Sequence, residues 1–225
     1  MAELIRMKSI SGEAADFLRK LVKSGYNIFI SGGTGSGKTT FLNALSEYIP
    51  REERIITIED NAELRLLDKP NLVQLEARNA NTEGTGEISI RQLIKTALRM
   101  RPDRIIVGEV RGEEAIDMIS AFNTGHDGSL STGHANSTED MINRLSTMIL
   151  MGMELPLEAI YRMIVSGIDI MVHLGRSRDG FRRVIAISEL EAYERGRVIL
   201  NPLFELKEGE LRKIGTLKNC TKING

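Results

Sequence analysis

The feature that most constrains this chain is a glycine-rich loop at residues 32–39, between a predicted strand and a predicted helix. Residues 27–30 form an apolar run that leads in as a buried strand, and residues 40–48 lead out as a helix with one apolar side. Glycines let the backbone curl so that successive N–H groups point at one anion, and the helix N-terminus adds partial positive charge. The predicted phosphate cradle comprises Gly32, Gly33, Thr34, Gly35, Ser36, Gly37, Lys38, Thr39 and Thr40.

The side chains of this loop predict a nucleotide bound with a metal ion. In a P-loop the lysine, here Lys38, reaches the β- and γ-phosphates, and the following hydroxyl, here that of Thr39, ligates Mg²⁺. The predicted ligands are therefore ATP and Mg²⁺. The alternative is a glycine-rich turn that only caps a helix.

Composition narrows the class of protein. The chain has 225 residues, a net charge of −1 and a single cysteine, Cys220. It is long enough for one sizeable core, has no global basic field and cannot form an intrachain disulfide. We find neither a signal peptide nor an apolar run of about 18 residues, which a transmembrane helix needs. These features predict a protein of cytoplasmic type.

The order of predicted elements indicates an α/β fold. Strands and helices alternate over the first two thirds, the pattern of a doubly wound, mostly parallel sheet. Beyond Gly167 the segments 168–174, 181–190 and 198–206 look like antiparallel strands, and Asp179-Gly180 is a hairpin signal. We expect a domain at 1–190, followed by a strand extension and a loose polar tail at 191–225.

Two predicted strands end in carboxylates. Glu59 ends the strand after the P-loop helix, and Glu109 follows four apolar strand residues. Ligands bind at the carboxyl ends of parallel strands, so both acids are expected beside the phosphates. We favour Glu59 as the base that activates water and Glu109, with Thr39, as the group that holds Mg²⁺. The reverse assignment stays open, and the simpler alternative is solvated carboxylates.

A histidine and two arginines complete the candidate site. His134 follows a short strand and is predicted to sense the γ-phosphate by a hydrogen bond; the alternative is a structural turn histidine. Arg78 and Arg101 are local candidates for the arginine that stabilises the transition state, and surface salt bridges are their alternative. No His/Cys spacing suits zinc.

Basic residues flank the predicted Asp179-Gly180 turn. They are explained either by a solvated hairpin or by contact with a neighbouring subunit or a membrane platform. These residues are Arg176, Arg178, Arg182 and Arg183.

Four motifs in order carry a family resemblance that covers roughly residues 5–190. Residues 32–39, 55–60, 101–111 and 128–136 resemble the Walker A, Asp box, Walker B and His box of the type II/type IV secretion ATPase superfamily. The fuller run at 97–112, with 123–128, resembles the branch that serves tight-adherence (Flp/Tad) pili.

The resemblance implies a RecA-like ATPase that forms a homo-hexameric ring. The ring would lie at the cytoplasmic face of the inner membrane and contact a platform protein of a pilus or secretion machine. Family members carry an N-terminal domain, expected to be absent because the chain begins close to the first RecA-like helix. The nucleotide lies between the two domains in this family, and arginines from that domain or a neighbour complete the site.

Other functions on a P-loop are weighed against this one. A kinase needs an acceptor pocket and an Arg-rich lid, and a GTP switch needs an Asn-Lys-x-Asp tetrad; neither is found. A conjugative DNA-transfer ATPase on the same fold is the main alternative. The near-neutral charge argues against nucleic acid as a partner without excluding it.

Overall fold

The computed structural model describes residues 1–82, 84–177 and 180–224, and these form one mixed sheet flanked by helices. Across the sheet the described strands follow the order β3-β2-β4-β5-β1-β6-β7-β8-β9. Their bounds are β1 Ile28–Gly32, β2 Ile55–Glu59, β3 Leu72–Glu76, β4 Arg104–Val110, β5 Leu130–Gly133, β6 Ile170–Arg176, β7 Arg182–Glu194, β8 Arg197–Lys207 and β9 Glu210–Lys213.

The helices connect and cover these strands. Their bounds are α1 Ala2–Arg6, α2 Gly12–Lys23, α3 Lys38–Ser46, α4 Ile90–Ala97, α5 Ala115–Phe122, α6 Thr138–Gly152, α7 Leu157–Gly167 and α8 Thr221–Asn224, with a 3₁₀ turn at Leu98–Met100 after α4. None of the helices in the described ranges combines the length and the apolar character needed to cross a membrane.

Strands β1 to β6 are parallel, which confirms the predicted α/β class with a mostly parallel sheet. Residues 168–174 were predicted to form an antiparallel strand. For β6 this prediction is right on one edge of the strand and wrong on the other. This strand pairs in parallel with β1 and antiparallel with β7. The preceding α7 returns the chain across the sheet, so β6 enters in the parallel direction. β7, β8 and β9 continue antiparallel, as predicted.

Two apolar layers hold the helices against the sheet. On one face α4 to α7 pack over buried residues that include Ile56 and Ile58. On the other face α2 and α3 pack over residues that include Ile55 and Ile30. Adjacent residues of β2 therefore point to opposite layers, and its apolar residues face helices on both sides, as a central parallel strand requires.

The predicted division at residue 190 and the predicted loose tail both differ from the structure. Residue 190 lies inside β7, which runs unbroken through Arg182–Glu194. In the tail, the backbone N–H of Asn219 donates to Glu189 Oε1 at 2.7 Å, and Lys222 Nζ donates to Asp169 Oδ2 at 2.8 Å. The polar tail is held by hydrogen bonds to the buried carboxylate of Glu189 and the partly buried carboxylate of Asp169, which composition alone does not indicate. Of the predicted turn, Arg178 and Asp179 lie outside the described residues.

Candidate nucleotide-binding site

The loop between β1 and α3 has the backbone shape of an anion cradle. Gly35 and Gly37 adopt left-handed conformations, with φ of 68° and 96°, and α3 begins at Lys38 directly after Gly37. Because these φ values strain any residue with a Cβ, glycine is required at both positions. Gly32 is required for space, since a Cβ there would lie 2.5 Å from the carbonyl oxygen of Leu174.

Lys38 places a buried ammonium group at the mouth of this cradle. Its Nζ donates to the carbonyl oxygens of Gly32 at 3.1 Å and Gly33 at 3.3 Å. Burial lowers the pKa of Lys38, because desolvation disfavours the charged form. A partly desolvated cation held by neutral carbonyls provides the counter-charge for a phosphate, so the residues present suit a nucleotide.

Glu109 and His134 lie beside Lys38. His134 Nε2 is 2.5 Å from Glu109 Oε1, and His134 Nδ1 is 3.3 Å from Lys38 Nζ. Burial, with the charges of Lys38 and Arg111, lowers the pKa of His134 despite the opposing effect of Glu109. The imidazole is therefore neutral at pH 7.

Glu59 lies in a different environment at the end of β2. The side chain is only 5% exposed, and its Oε1 accepts hydrogen bonds from the backbone N–H groups of Glu63 and Leu64 at 3.0 and 2.9 Å. Burial raises the pKa of Glu59, and these two hydrogen bonds only partly offset that effect. Gly108 leaves room for this carboxylate, since a Cβ there would lie 2.9 Å from Glu59 Cγ.

Thr39 and Glu109 line the same pocket and could hold Mg²⁺ together with phosphate oxygens. The pocket has a volume of about 270 Å³ and also includes Glu59 and His134. Thr39 Oγ1 donates to Glu63 Oε2 at 3.3 Å. Within the described part of the chain, no three His, Cys, Asp or Glu side chains converge as a complete metal site. Mg²⁺ in nucleotide sites keeps several waters and phosphate oxygens, so a hydroxyl and one carboxylate suit it.

The two predicted arginines do not line this pocket. Arg78 Nε donates to the carbonyl oxygen of Gly86 at 2.7 Å, and its backbone pairs with Ile88. Arg101 precedes the start of β4, whereas Glu109 lies near the carboxyl end of the same strand. A seven-residue strand spans about 20 Å, so the two residues lie at opposite ends of it. The roles of both arginines stay predictions.

Among the described residues, Arg111 and Arg182 line the pocket, and sequence reasoning gave no role to Arg111. Its Nη2 and Nε lie 2.7 and 3.0 Å from Glu109 Oε2, and its Nη1 lies 3.7 Å from Asp60 Oδ2. These contacts, above all the hydrogen bond to Glu109, raise the pKa of Arg111. The signal was available, since Arg111 follows Glu109 by two residues within the same motif.

A buried histidine on β6 was also missed. His173 Nδ1 is 2.9 Å from Ser31 Oγ, directly before the glycine loop. Burial lowers the pKa of His173, and a backbone hydrogen bond with Asn136 opposes that effect. His173 therefore links the P-loop strand to the segment that carries His134. No local pattern marks this contact, because the three segments are distant in sequence.

A P-loop at the carboxyl edge of a mostly parallel sheet, with two strand-end carboxylates and a strand-end histidine, defines a RecA-like P-loop nucleotide-binding protein. The family described as "Type II/IV secretion system protein" matches residues 1–183. The chain belongs to this family.

Named relatives agree with that assignment. A putative conjugal transfer protein of Mycobacterium tuberculosis is 41% identical over 88% of this chain, and the VirB11 type IV secretion system protein of Brucella suis is 40% identical over 82%. The type IV secretion system protein PtlH of Bordetella pertussis is 44% identical over 76%. The chain spans about half of these relatives, 52–55% of their length.

Solved structures share the fold. The VirB11 ATPase of the Brucella suis type IV secretion system, in complex with sulphate, superimposes with a TM-score of 0.72 and 38% identity over 84% of this chain. The pilus retraction motor PilT with bound ADP superimposes with a TM-score of 0.57 and 26% identity over 93%. The chain covers 55% and 53% of those structures.

Proposed function

We propose that this chain is the ATP-binding and ATP-hydrolysing portion of a motor subunit that powers type IV secretion or pilus assembly. The proposal is supported by family membership and by relatives whose names include a VirB11 ATPase and a pilus retraction motor with bound ADP. One observation in this chain is the main support for the proposed function. The buried ammonium of Lys38 lies between a left-handed glycine loop and the His134–Glu109 pair.

Each group has a defined part in the proposed reaction. The loop N–H groups and Lys38 bind and orient the phosphates, and His134 donates a hydrogen bond to the terminal phosphoryl group. Glu59 accepts the proton of the attacking water, a task suited to a carboxylate whose pKa is raised toward neutrality. Thr39 and Glu109 hold Mg²⁺, which neutralises charge that develops on the phosphates.

The expected assembly follows from the family. We propose a homo-hexamer at the cytoplasmic face of the inner membrane, peripheral to it and in contact with a membrane platform protein. The branch that serves tight-adherence pili is our proposal for the machine, on the strength of the motif at residues 97–112.

The phosphate cradle is tested by Lys38→Ala, with Lys95→Ala as the control. Lys95 is an exposed lysine whose ammonium is 3.5 Å from Asp117, far from the glycine loop in sequence. Loss of the charge-assisted contact is expected to weaken ATP binding by severalfold to about 100-fold and to reduce phosphate release further. Calorimetry and a phosphate-release assay measure both quantities. Unchanged affinity and turnover in Lys38→Ala would refute the cradle.

A second candidate is a DNA-transfer ATPase on the same fold. The observation that favours it is the 41% identical relative named a putative conjugal transfer protein. ATPase activity measured with and without single-stranded and duplex DNA separates the two. A protein-secretion or pilus motor is expected to show no stimulation, whereas a severalfold rise with DNA would favour DNA transfer.

A further inference from the structure

A buried row of three residues crosses the middle of the sheet next to the nucleotide site. Ser31 of β1 is the register partner of Gly133 on β5 and of His173 on β6. Register partners on neighbouring strands lie side by side on the same face of a sheet. Gly32 and His134 come directly after this row in the chain. The row therefore borders both the glycine loop and the histidine of the site.

Only one residue of this row has a long side chain. Gly133 has none, and a Cβ there would lie 2.9 Å from Met141 Sδ of α6. Ser31 carries a single hydroxyl group. His173 is only 8% exposed, and its imidazole lies on the face of the sheet that α6 covers. Of the three residues, His173 is therefore the one that can reach from the sheet to the turn before α6.

The imidazole of His173 has a partner on each side of the site. Its Nδ1 is 2.9 Å from the Oγ of Ser31, the residue before Gly32. Burial lowers the pKa of His173, and a hydrogen bond with the backbone of Asn136 opposes that effect. Because this hydrogen bond favours the charged imidazole, the ring donates it and the carbonyl oxygen of Asn136 accepts it. His173 thus joins the strand that enters the glycine loop to the turn that follows His134.

The turn between β5 and α6 is fastened by side chains at Asn136. The backbone N–H of Asn136 donates to Asp140 Oδ2 at 2.9 Å, and the backbone N–H of Asp140 donates to Ser137 Oγ at 3.0 Å. These contacts tie the turn to the first residues of α6. The hydrogen bond from His173 ties the same residue, Asn136, to the sheet. Of these contacts, only the one from His173 continues to the P-loop strand, through Ser31.

The turn decides where His134 lies relative to the phosphate cradle. His134 Nδ1 is 3.3 Å from Lys38 Nζ, and its side chain is partly exposed. Packing alone does not lock a partly exposed side chain, so the backbone beneath it has to be held if it is to form a hydrogen bond at a fixed point. In the proposed function that point is the terminal phosphoryl group.

We propose that His173 is a positioning residue for ATP hydrolysis: by joining Ser31 to Asn136, it orients His134 toward the terminal phosphoryl group. The inference rests on the proposed function, in which His134 donates a hydrogen bond to that group. His173 is not among the described residues that line the main pocket, so it acts on the nucleotide through His134. Because Lys38 and the glycine loop bind the phosphates, loss of His173 is expected to lower turnover and to spare affinity.

The orientation of His134 can be measured directly, because the chain has three histidines. Histidine labelled with ¹⁵N gives one set of ring signals in NMR spectra for each of them, and single substitutions assign the signals. Spectra of the unmodified 225-residue chain, His173→Phe, His173→Gln and Ser31→Ala are compared with and without magnesium and a non-hydrolysable ATP analogue. His126→Phe is the matched control, because His126 Nδ1 is also close to a backbone carbonyl oxygen, that of Ala121 at 3.2 Å, in the segment before β5.

The analogue is expected to shift the ring signals of His134 in the unmodified protein. In His173→Phe it is expected to bind within about threefold of the normal affinity and to shift His134 by less than half as much. Turnover in His173→Phe is expected to fall about tenfold to 100-fold, the range for a misplaced hydrogen-bond donor. Ser31→Ala is expected to change the same quantities less. His173→Gln, whose amide can still donate to a carbonyl oxygen, is expected to recover part of the loss, and His126→Phe to change none of these quantities.

Combining His173→Phe with His134→Ala separates positioning from a general structural role. If His173 acts through His134, its substitution is expected to lower turnover by less than about twofold in a chain that already lacks His134. A further loss of tenfold would overturn the positioning role, as would unaltered His134 shifts in both His173→Phe and Ser31→Ala, or the absence of a His134 shift in the unmodified protein. In each case, binding of the analogue would leave the proposed function standing.

Failure of the unmodified chain to bind the analogue would instead refute the proposed function. Thermal unfolding of each variant shows whether it folds. If His173→Phe does not fold, Ser31→Ala decides the question, because it removes one oxygen atom and leaves the imidazole in place.

Discussion

The two strand-end carboxylates of the site have different surroundings, and this difference separates their roles. Glu59 is buried and held by backbone N–H groups, and burial raises its pKa. Glu109 is paired with the imidazole of His134 and the guanidinium of Arg111. Pairs of acids whose environments differ in this way commonly divide base and charge-stabilising duties. The surroundings of Glu59 therefore support its assignment as the base.

Replacing each carboxylate by its amide tests this division. Glu59→Gln and Glu109→Gln keep the shape of the side chain and remove its charge, so ATP affinity is expected to stay within a few-fold. Turnover is expected to fall about 100-fold or more in both. Glu76→Gln is the matched control, because Glu76 is the register partner of Glu59 on β3 and is exposed. Normal phosphate release in both amide variants would contradict a site with two working carboxylates.

At the level of helices and strands, the sequence predicts those features that depend on residues close together in the chain. Ser89 and Gln92 form the predicted capping box at the start of α4. Ser137 caps α6, as predicted from its position just before apolar residues at helical spacing. The strand–loop–helix around the P-loop is likewise where the glycines and the apolar runs place it. These features depend on residues within a few positions of one another.

Features that depend on distant segments were not predicted. The parallel pairing of β6 with β1 joins residues about 140 positions apart, and no periodicity records the direction of a strand. The link from His173 to Ser31 follows from that pairing. The main pocket brings together the P-loop, Glu59, Glu109 and His134, because the carboxyl ends of parallel strands meet at one edge whatever their order.

The docking of the tail is an element-scale feature with a measurable energy. Lys222 Nζ bonds to Asp169, Asp127 and the carbonyl oxygen of Gly25. Lys222→Met removes the charge and keeps the length, and is expected to lower the free energy of unfolding by about 1–2 kcal/mol, between the values for exposed and buried pairs. Chemical denaturation at pH 7 measures it. Lys218→Met, at a lysine whose side chain is 64% exposed, is the control and is expected to change stability by less than about 0.5 kcal/mol.

The difference in the free energy of unfolding between the unmodified protein and Lys222→Met is expected to depend on pH in a definite direction. Burial alone would lower the pKa of Lys222, but its hydrogen bonds to Asp127 and Asp169 outweigh burial and raise it. A raised folded-state pKa gives stability that is complete below the unfolded pKa, near 10.4, and is lost as pH rises through the folded value. The gap between the unmodified protein and Lys222→Met is therefore expected to be constant from pH 7 to about 10 and to shrink above it. A gap that shrinks below pH 9 would argue against the ion pair as its source.

For the whole molecule, the most informative question is where the arginine that stabilises the transition state comes from. Lys38, Glu59, Glu109 and His134 supply phosphate binding, water activation, metal binding and sensing from one chain in our proposal. Among the described residues, Arg111 and Arg182 line the pocket, and Arg111 is bound to Glu109. Arg78 and Arg101 do not line it. An arginine supplied in trans can raise the rate of phosphoryl transfer by about 10³–10⁵. The chain spans 52–55% of the length of its relatives, so the rest of a relative and a neighbouring copy are both candidate donors of this arginine.

This geometry predicts an ATPase whose activity depends on assembly. If the transition-state arginine comes from outside the copy that binds the nucleotide, as we propose, the specific activity of an isolated copy is expected to be low and to rise with protein concentration. Joining the chain to the N-terminal domain of a longer relative is expected to raise the activity as well. Phosphate release measured over a dilution series, with mass measured by light scattering at each concentration, tests the dependence. Arg78→Ala and Arg101→Ala mixed with the catalytically inactive Lys38→Ala chain would show whether either arginine acts on a neighbour. Constant, full specific activity in a demonstrably monomeric chain would show that the site is complete within one copy, and the ring would then be unnecessary for hydrolysis.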